Sequence, residues 1–218
     1  MTWQQKYSEG MAALEKSMEQ GGRYTLDAGK AFSEASRMAH RQKDWRGMEA
    51  AGRGFVALAE LQEGGTYTHK AAEAFDSAFR MARSLKDCGG MVAAALGFFS
   101  LAELQEGGTY THKADRLFFE ARSLANSEKS WRCYLSIGGG YLRLAELQSG
   151  GAYTHKAAEA FDSAFKLARD ASNLQGCNDV ASAFEQLARM QEGGRYSHKA
   201  AECRAEASRI FERLHKPR

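Results

Sequence analysis

The strongest constraint on this chain is its own repetition. The motif Gly-Gly-x-Tyr-Thr/Ser begins at Gly21, Gly64, Gly107, Gly150 and Gly193, each 43 residues after the last. Leu58–Ala71 matches Leu101–Ala114 at all fourteen positions, and Tyr67–Phe79 matches Tyr153–Phe165 at all thirteen. A period of this length marks an array in which each repeat is one supersecondary element and its neighbours complete its core. The repeats run at about 2–44, 45–87, 88–130, 131–173 and 174–216, so residues 1–218 read as a single repeat array.

Each period contains two helix starts. The first follows Asp44, Asp87, Ser130 and Asn173, and the second follows Thr25, Thr68, Thr111, Thr154 and Ser197. All are N-cap residues by type, whose side chains accept from unsatisfied helix N–H groups at a gain of roughly 1 kcal/mol over alanine. The Gly-Gly pair stands just past the first helix, where a C′ residue turns left-handed. A single proline, Pro217, leaves long helices unobstructed. The expected fold is all-α, an α-solenoid of about five helix–turn–helix repeats with about ten antiparallel helices.

The second helix carries Ala71-x-x-x-Phe75-x-x-Ala78, repeated as Ala28/Phe32/Ala35, Ala114/Phe118/Ala121 and Ala157/Phe161/Ala164. Apolar positions at i, i+4 and i+7 form one buried stripe, with small residues admitting a neighbour and phenylalanine filling the gap. The last repeat reads Ala200/Arg204/Ala207. A charge in the aromatic column is what a terminal capping repeat requires.

The Ala-x-x-x-Phe-x-x-Ala helix resembles the second helix of a tetratricopeptide repeat. Trp45, the run Ala51-Gly-Arg-Gly-Phe-Val-Ala-Leu-Ala-Glu-Leu61, Lys70-Ala71-Ala72 and Phe75 are similar in pattern to the helical array of the soluble NSF-attachment proteins. The resemblance implies an adaptor that grips helical segments of partners, with the first helix of each repeat lining a concave face.

Bulk properties narrow the partner classes. Thirty basic and 27 acidic residues give a net charge of +3, too balanced to indicate nucleic acid. No segment has the apolar length of a membrane span, and the amino-terminal residues carry no apolar secretory core. Cys88, Cys133, Cys177 and Cys203 show no metal-ligand spacing and read as small buried groups in a reducing compartment, so the cytoplasm is expected.

Five repeats leave no room for a catalytic domain, and neither a nucleophile motif nor a phosphate loop is present, so a non-enzymatic protein with no cofactor is expected. His69-Lys70, His112-Lys113 and His155-Lys156 recur at the start of the second helix, where N–H groups attract anions. Successive helices stand about 8–10 Å apart, too far for these histidines to share a metal. Tyr24, Tyr67, Tyr110, Tyr153 and Tyr196 are expected as rings locking the turns, and the Gly138-Gly139-Gly140 run as a site of close helix approach.

The variable stripe of the first helices is the best guide to binding. It reads Glu49, Arg53, Val56, then Val92, Leu96, Phe99, then Leu135, Gly139, Leu142, then Asn178, Ser182, Glu185. Val92, Leu96, Phe99, Leu135 and Leu142, rimmed by Arg46, Arg53, Arg132 and Arg143, have the form of a protein-binding patch, or alternatively of added core in the middle repeats. The function expected is a protein-interaction scaffold taking a helical or extended segment. The alternative is a self-assembling repeat, stacked head to tail or dimeric and including a designed or recently duplicated one, with the apolar face of Trp3, Tyr7, Met11, Leu14 and Met18 recruiting a second copy.

Overall fold

Among the described residues ten helices follow one another, and what starts each of them separates two sets. The first helices of the repeats are α1 (Trp3–Glu19), α3 (Trp45–Leu61), α5 (Cys88–Leu104), α7 (Trp131–Leu147) and α9 (Leu174–Met190). The second helices are α2 (Thr25–Gln42), α4 (Gly65–Ser84), α6 (Thr109–Ser127), α8 (Ala152–Asp170) and α10 (Arg195–His215). This computed structural model describes residues 2–62, 65–105, 108–148, 151–191 and 194–215, which contain no strand. Gly64, Gly107, Gly150, Gly193 and Pro217 lie outside the described residues.

The first helices are capped as their sequence requires. Asp44, Asp87, Ser130 and Asn173 accept from the backbone N–H of Arg46, Gly90, Cys133 and Gly176. Thr2 and Gln5 form a reciprocal capping box at the start of α1. Each cap downstream of the first repeat follows a left-handed residue that is not glycine: Lys43, Lys86, Lys129 and Ser172, at φ of 48 to 54°. The N–H of Asp44 reaches back to Ala39 O at 2.9 Å, and Asp87 to Ala82 O at 2.8 Å, closing Schellman turns.

The second helices begin differently, and the caps expected there are absent. Thr25 is itself the first residue of α2, while Thr68, Thr111 and Thr154 lie inside the first turns of α4, α6 and α8. All four are buried at 4–5% exposure, and Ser197 is exposed within α10. The Thr25 hydroxyl donates to Gly22 O at 2.9 Å and accepts from Gln62 Nε2 at 2.7 Å. It ties two successive turns together instead of capping a helix.

The turns also divide. α1 runs one residue out of step with the period: Thr2, Trp3 and Gly10 do for α1 what Asp44, Trp45 and Gly52 do for α3. The spacing from Trp3 to Tyr24 is one residue less than from Trp45 to Tyr67, and the turn after α1 closes through left-handed Gly21 (φ 64°) and Gly22 (φ 89°). The later first helices instead end in extended glutamines, Gln62, Gln105, Gln148 and Gln191.

The chain forms two compact units, Met1–Leu117 and Phe118–Arg218. In the first unit, the wholly buried rings of Phe32 and Phe75 are each gripped by glycines of two helices. A Cβ on Gly10 or Gly54 would stand 2.5 or 2.7 Å from the Phe32 ring. Gly52 and Gly97 hold Phe75 in the same way. Trp3 and Trp45 cover Gly47 and Gly90, and their indole N–H groups donate to Asp44 and Asp87, each at 2.9 Å. In the second unit, Gly140 meets Phe118, Gly138 meets Phe161, and Trp131 covers Gly176. Gly139, between the two seated glycines, has nothing within 4 Å of its Cβ position. Cys177 and Cys203 are buried thiols, and burial pushes Cys203 up to about 12. Cys88 of α5 and Cys133 of α7 are not among the free thiols, which corrects the reading of four thiols.

Candidate functional site

The two units hold different parts of the expected patch, and burial sorts them. In the first unit Val92 and Phe99 are 3% and 2% exposed, so both are core. In the second, Leu142 is 8% exposed and is also core. These three are withdrawn from the binding surface. An i, i+4, i+7 stripe shows that a face is apolar, not which neighbour covers it. Leu96 and Leu135 are half-buried and remain accessible, while Arg46, Arg53, Arg132 and Arg143 are exposed.

Arg53, Arg46 and Arg132 are held in place. Arg53 grips Glu49 through Nε and a terminal nitrogen at 2.6 and 2.8 Å, and Glu49 is 6% exposed. Hydrogen bonding to that carboxylate raises Arg53 above its usual range, and burial raises the nearby Tyr7 phenol. Arg46 lies over the Trp45 ring at 4.6 Å and within 3.7 Å of Asp87. In the second unit Arg132 lies over Trp131 at 5.1 Å. The exposed side of the first helices therefore presents oriented guanidinium groups, Arg46 and Arg53 on α3 in one unit and Arg132 on α7 in the other.

The His-Lys edge is built for packing. Phe55 stacks on Tyr67 with centroids 6.3 Å apart, and Lys70 Nζ lies 5.7 and 5.6 Å above the two rings. Lys113 lies over Phe98 at 5.3 Å and pairs with Asp76 at 2.7 Å. Lys156 covers Tyr141 and Tyr153. His69 and His155 meet Glu73 and Glu159, each at 3.2 Å, and His112 is exposed. Lysines laid over aromatic pairs and histidines facing carboxylates give an anion little to gain here. The tyrosines serve as expected where they are buried, at Tyr67, Tyr153 and Tyr196.

At the chain's two extremes the expected surfaces change sides. Trp3 turns to Asp44 and Gly47, Tyr7 meets Phe32 at 5.6 Å, and Leu14 is buried. That stripe of α1 is the inner face of the first unit, and only Met11 and Met18 are exposed. In the second unit Arg204 folds onto Glu185, with contacts of 2.6 and 2.8 Å.

No family model matches the chain, and no curated protein matches it. Among solved structures it is similar to the DHF58 filament, at 17% identity over 97% of this chain and 93% of that chain, with a TM-score of 0.36. The de novo designed helical repeat protein DHR64 is 16% identical over 97% of this chain and 94% of that chain, with a TM-score of 0.37. The DHF119 filament is 18% identical over 99% and 96%, with a TM-score of 0.33. Superposition is poor in every case, and the fold rests on this chain's own helices. It is an all-helical repeat protein. The likeness to NSF-attachment proteins stays a pattern of residues. No helix among the described residues is long and apolar enough to cross a membrane.

Proposed function

We propose that this protein is a non-enzymatic scaffold that binds a helical or extended segment of a partner protein along the free face of its first helices. One observation carries the reading: the framework repeats and the free face does not. Phe32, Phe75, Phe118 and Phe161 are the same residue, each at most 1% exposed. The accessible column Arg53, Leu96, Gly139 and Ser182 holds four different residues, and Arg46, Gly89, Arg132 and Gln175 differ almost as much. A constant framework with a varied face is suited to a partner that does not itself repeat.

The test is a comparative pull-down from source-cell lysate with the wild type and a Leu96→Glu, Leu135→Glu double variant. Both side chains are accessible, so circular dichroism should show unchanged helicity. A protein retained by the wild type and lost by the variant supports the reading. Identical sets on two folded baits contradict it.

A second reading, self-association, is favoured by exposed apolar side chains near the chain's extremes. Met18 and Leu26 are 66% and 61% exposed in the first unit, and Phe211 and Leu214 are 49% and 67% exposed in the second. A mass that rises with concentration in sedimentation would support it, and a constant monomer mass would remove it.

A further inference from the structure

A second surface, independent of the first-helix face, runs between α2 and α4 in the first unit. Two cavities of about 430 and 360 Å³ adjoin there and share His40 and Ser77. Arg37, Arg41, Lys43, Lys70 and Arg80 line them against one carboxylate, Glu73, which already faces His69 at 3.2 Å. Elsewhere cations on the second helices meet acids, as Lys113 meets Asp76 and Lys199 meets Asp162. Here they do not. The Arg37 guanidinium donates to Ser33 O at 3.3 Å, and Arg80 to Ser77 Oγ at 3.2 Å, both neutral acceptors on their own helices. Among the described residues no carboxylate pairs with Arg37, Arg41, Lys43 or Arg80. Like charges gathered on two adjacent helices repel one another and focus a positive potential into the groove between them.

We propose that this groove binds an acidic amphipathic segment of a partner protein. Its carboxylates meet Arg37, Arg41 and Arg80, and its apolar side chains rest on Met81 and Leu85, of which Leu85 is 56% exposed. A nucleic acid suits the groove poorly. The Phe55 ring that lines it is 3% exposed and lies under Lys70, so it offers no face for base stacking. Along α4 and just past its end the groove extends from Lys70 to Leu85, roughly 22 Å, the length of a helix of about fifteen residues.

Fluorescence anisotropy tests this with a labelled helical peptide of about fifteen residues that carries leucine on one face and glutamate on the other. The full chain should bind it. An Arg37→Glu, Arg41→Glu variant should bind it at least about tenfold more weakly, and Arg80→Glu alone should weaken it in the same direction. A Lys166→Glu, Arg189→Glu variant changes net charge equally on exposed sites of the second unit and should bind as the wild type does. The Leu96→Glu, Leu135→Glu variant should also retain the peptide, which separates this groove from the first-helix face. Equal losses in the Arg37/Arg41 and Lys166/Arg189 variants would overturn the proposal. So would no binding by the wild type, or tighter binding of an oligothymidylate of similar length.

Discussion

Phe75 and Arg204 occupy the same column of the repeat and live in opposite environments. Phe75 is wholly buried, seated between glycines of α3 and α5. Arg204 keeps much of its side chain in solvent and lies against Glu185. The interior position gains hydrophobic burial and close packing, which are large and insensitive to salt. The last one gains an exposed ion pair, which is small and screened. The array couples its repeats through rings in glycine sockets and ends by withdrawing the ring.

That contrast can be broken most forcefully at its strong side. Phe75→Ala should lower the free energy of unfolding by about 3–5 kcal/mol, because backbone-lined glycine walls cannot collapse onto the void. Urea titration followed by circular dichroism measures it. A loss below about 1 kcal/mol would mean that the ring is not the coupling element. Asp87→Ala acts next, by roughly 2 kcal/mol. It removes the cap on Gly90 N–H and strands the Trp45 indole N–H that donates to the same carboxylate. Asp87→Asn keeps one acceptor oxygen but turns an NH2 toward the second donor, so it should recover only part of that loss. Arg204→Ala should move stability by at most about 1 kcal/mol, less at high salt. A loss comparable to that of Phe75→Ala would erase the distinction.

The fold was legible because the same residue types recur at the same spacing, and the first-helix caps were legible for the same reason. The second-helix threonines misled. Threonine before an apolar stripe reads as a cap, yet helix formation begins earlier, in the Gly-Gly turn, and carries Thr68, Thr111 and Thr154 inside. The glutamine that ends each first helix is the signal that could have warned of this, since Gln62 reaches the Thr25 hydroxyl. The patch was legible in part. Periodicity placed Val92, Leu96 and Phe99 on one stripe, but which of them a neighbour covers depends on packing that no single helix encodes. The groove between α2 and α4 was not legible, because Arg37, Arg41 and Arg80 belong to two repeats and read as ordinary solvated charges until the helices lie side by side.

Buried glycine sockets hold the framework, while the free face is open to variation. Gly138, Gly139 and Gly140 test this within three consecutive residues. The most direct measurement is the urea midpoint of three single variants, Gly138→Ala, Gly139→Ala and Gly140→Ala. Gly138→Ala and Gly140→Ala should each lose about 1–3 kcal/mol, because a methyl group would press into the Phe161 and Phe118 rings. Gly139→Ala, helical and open to solvent, should gain up to about 1 kcal/mol from alanine's helix propensity. Three equal losses, or a loss at Gly139 alone, would contradict it.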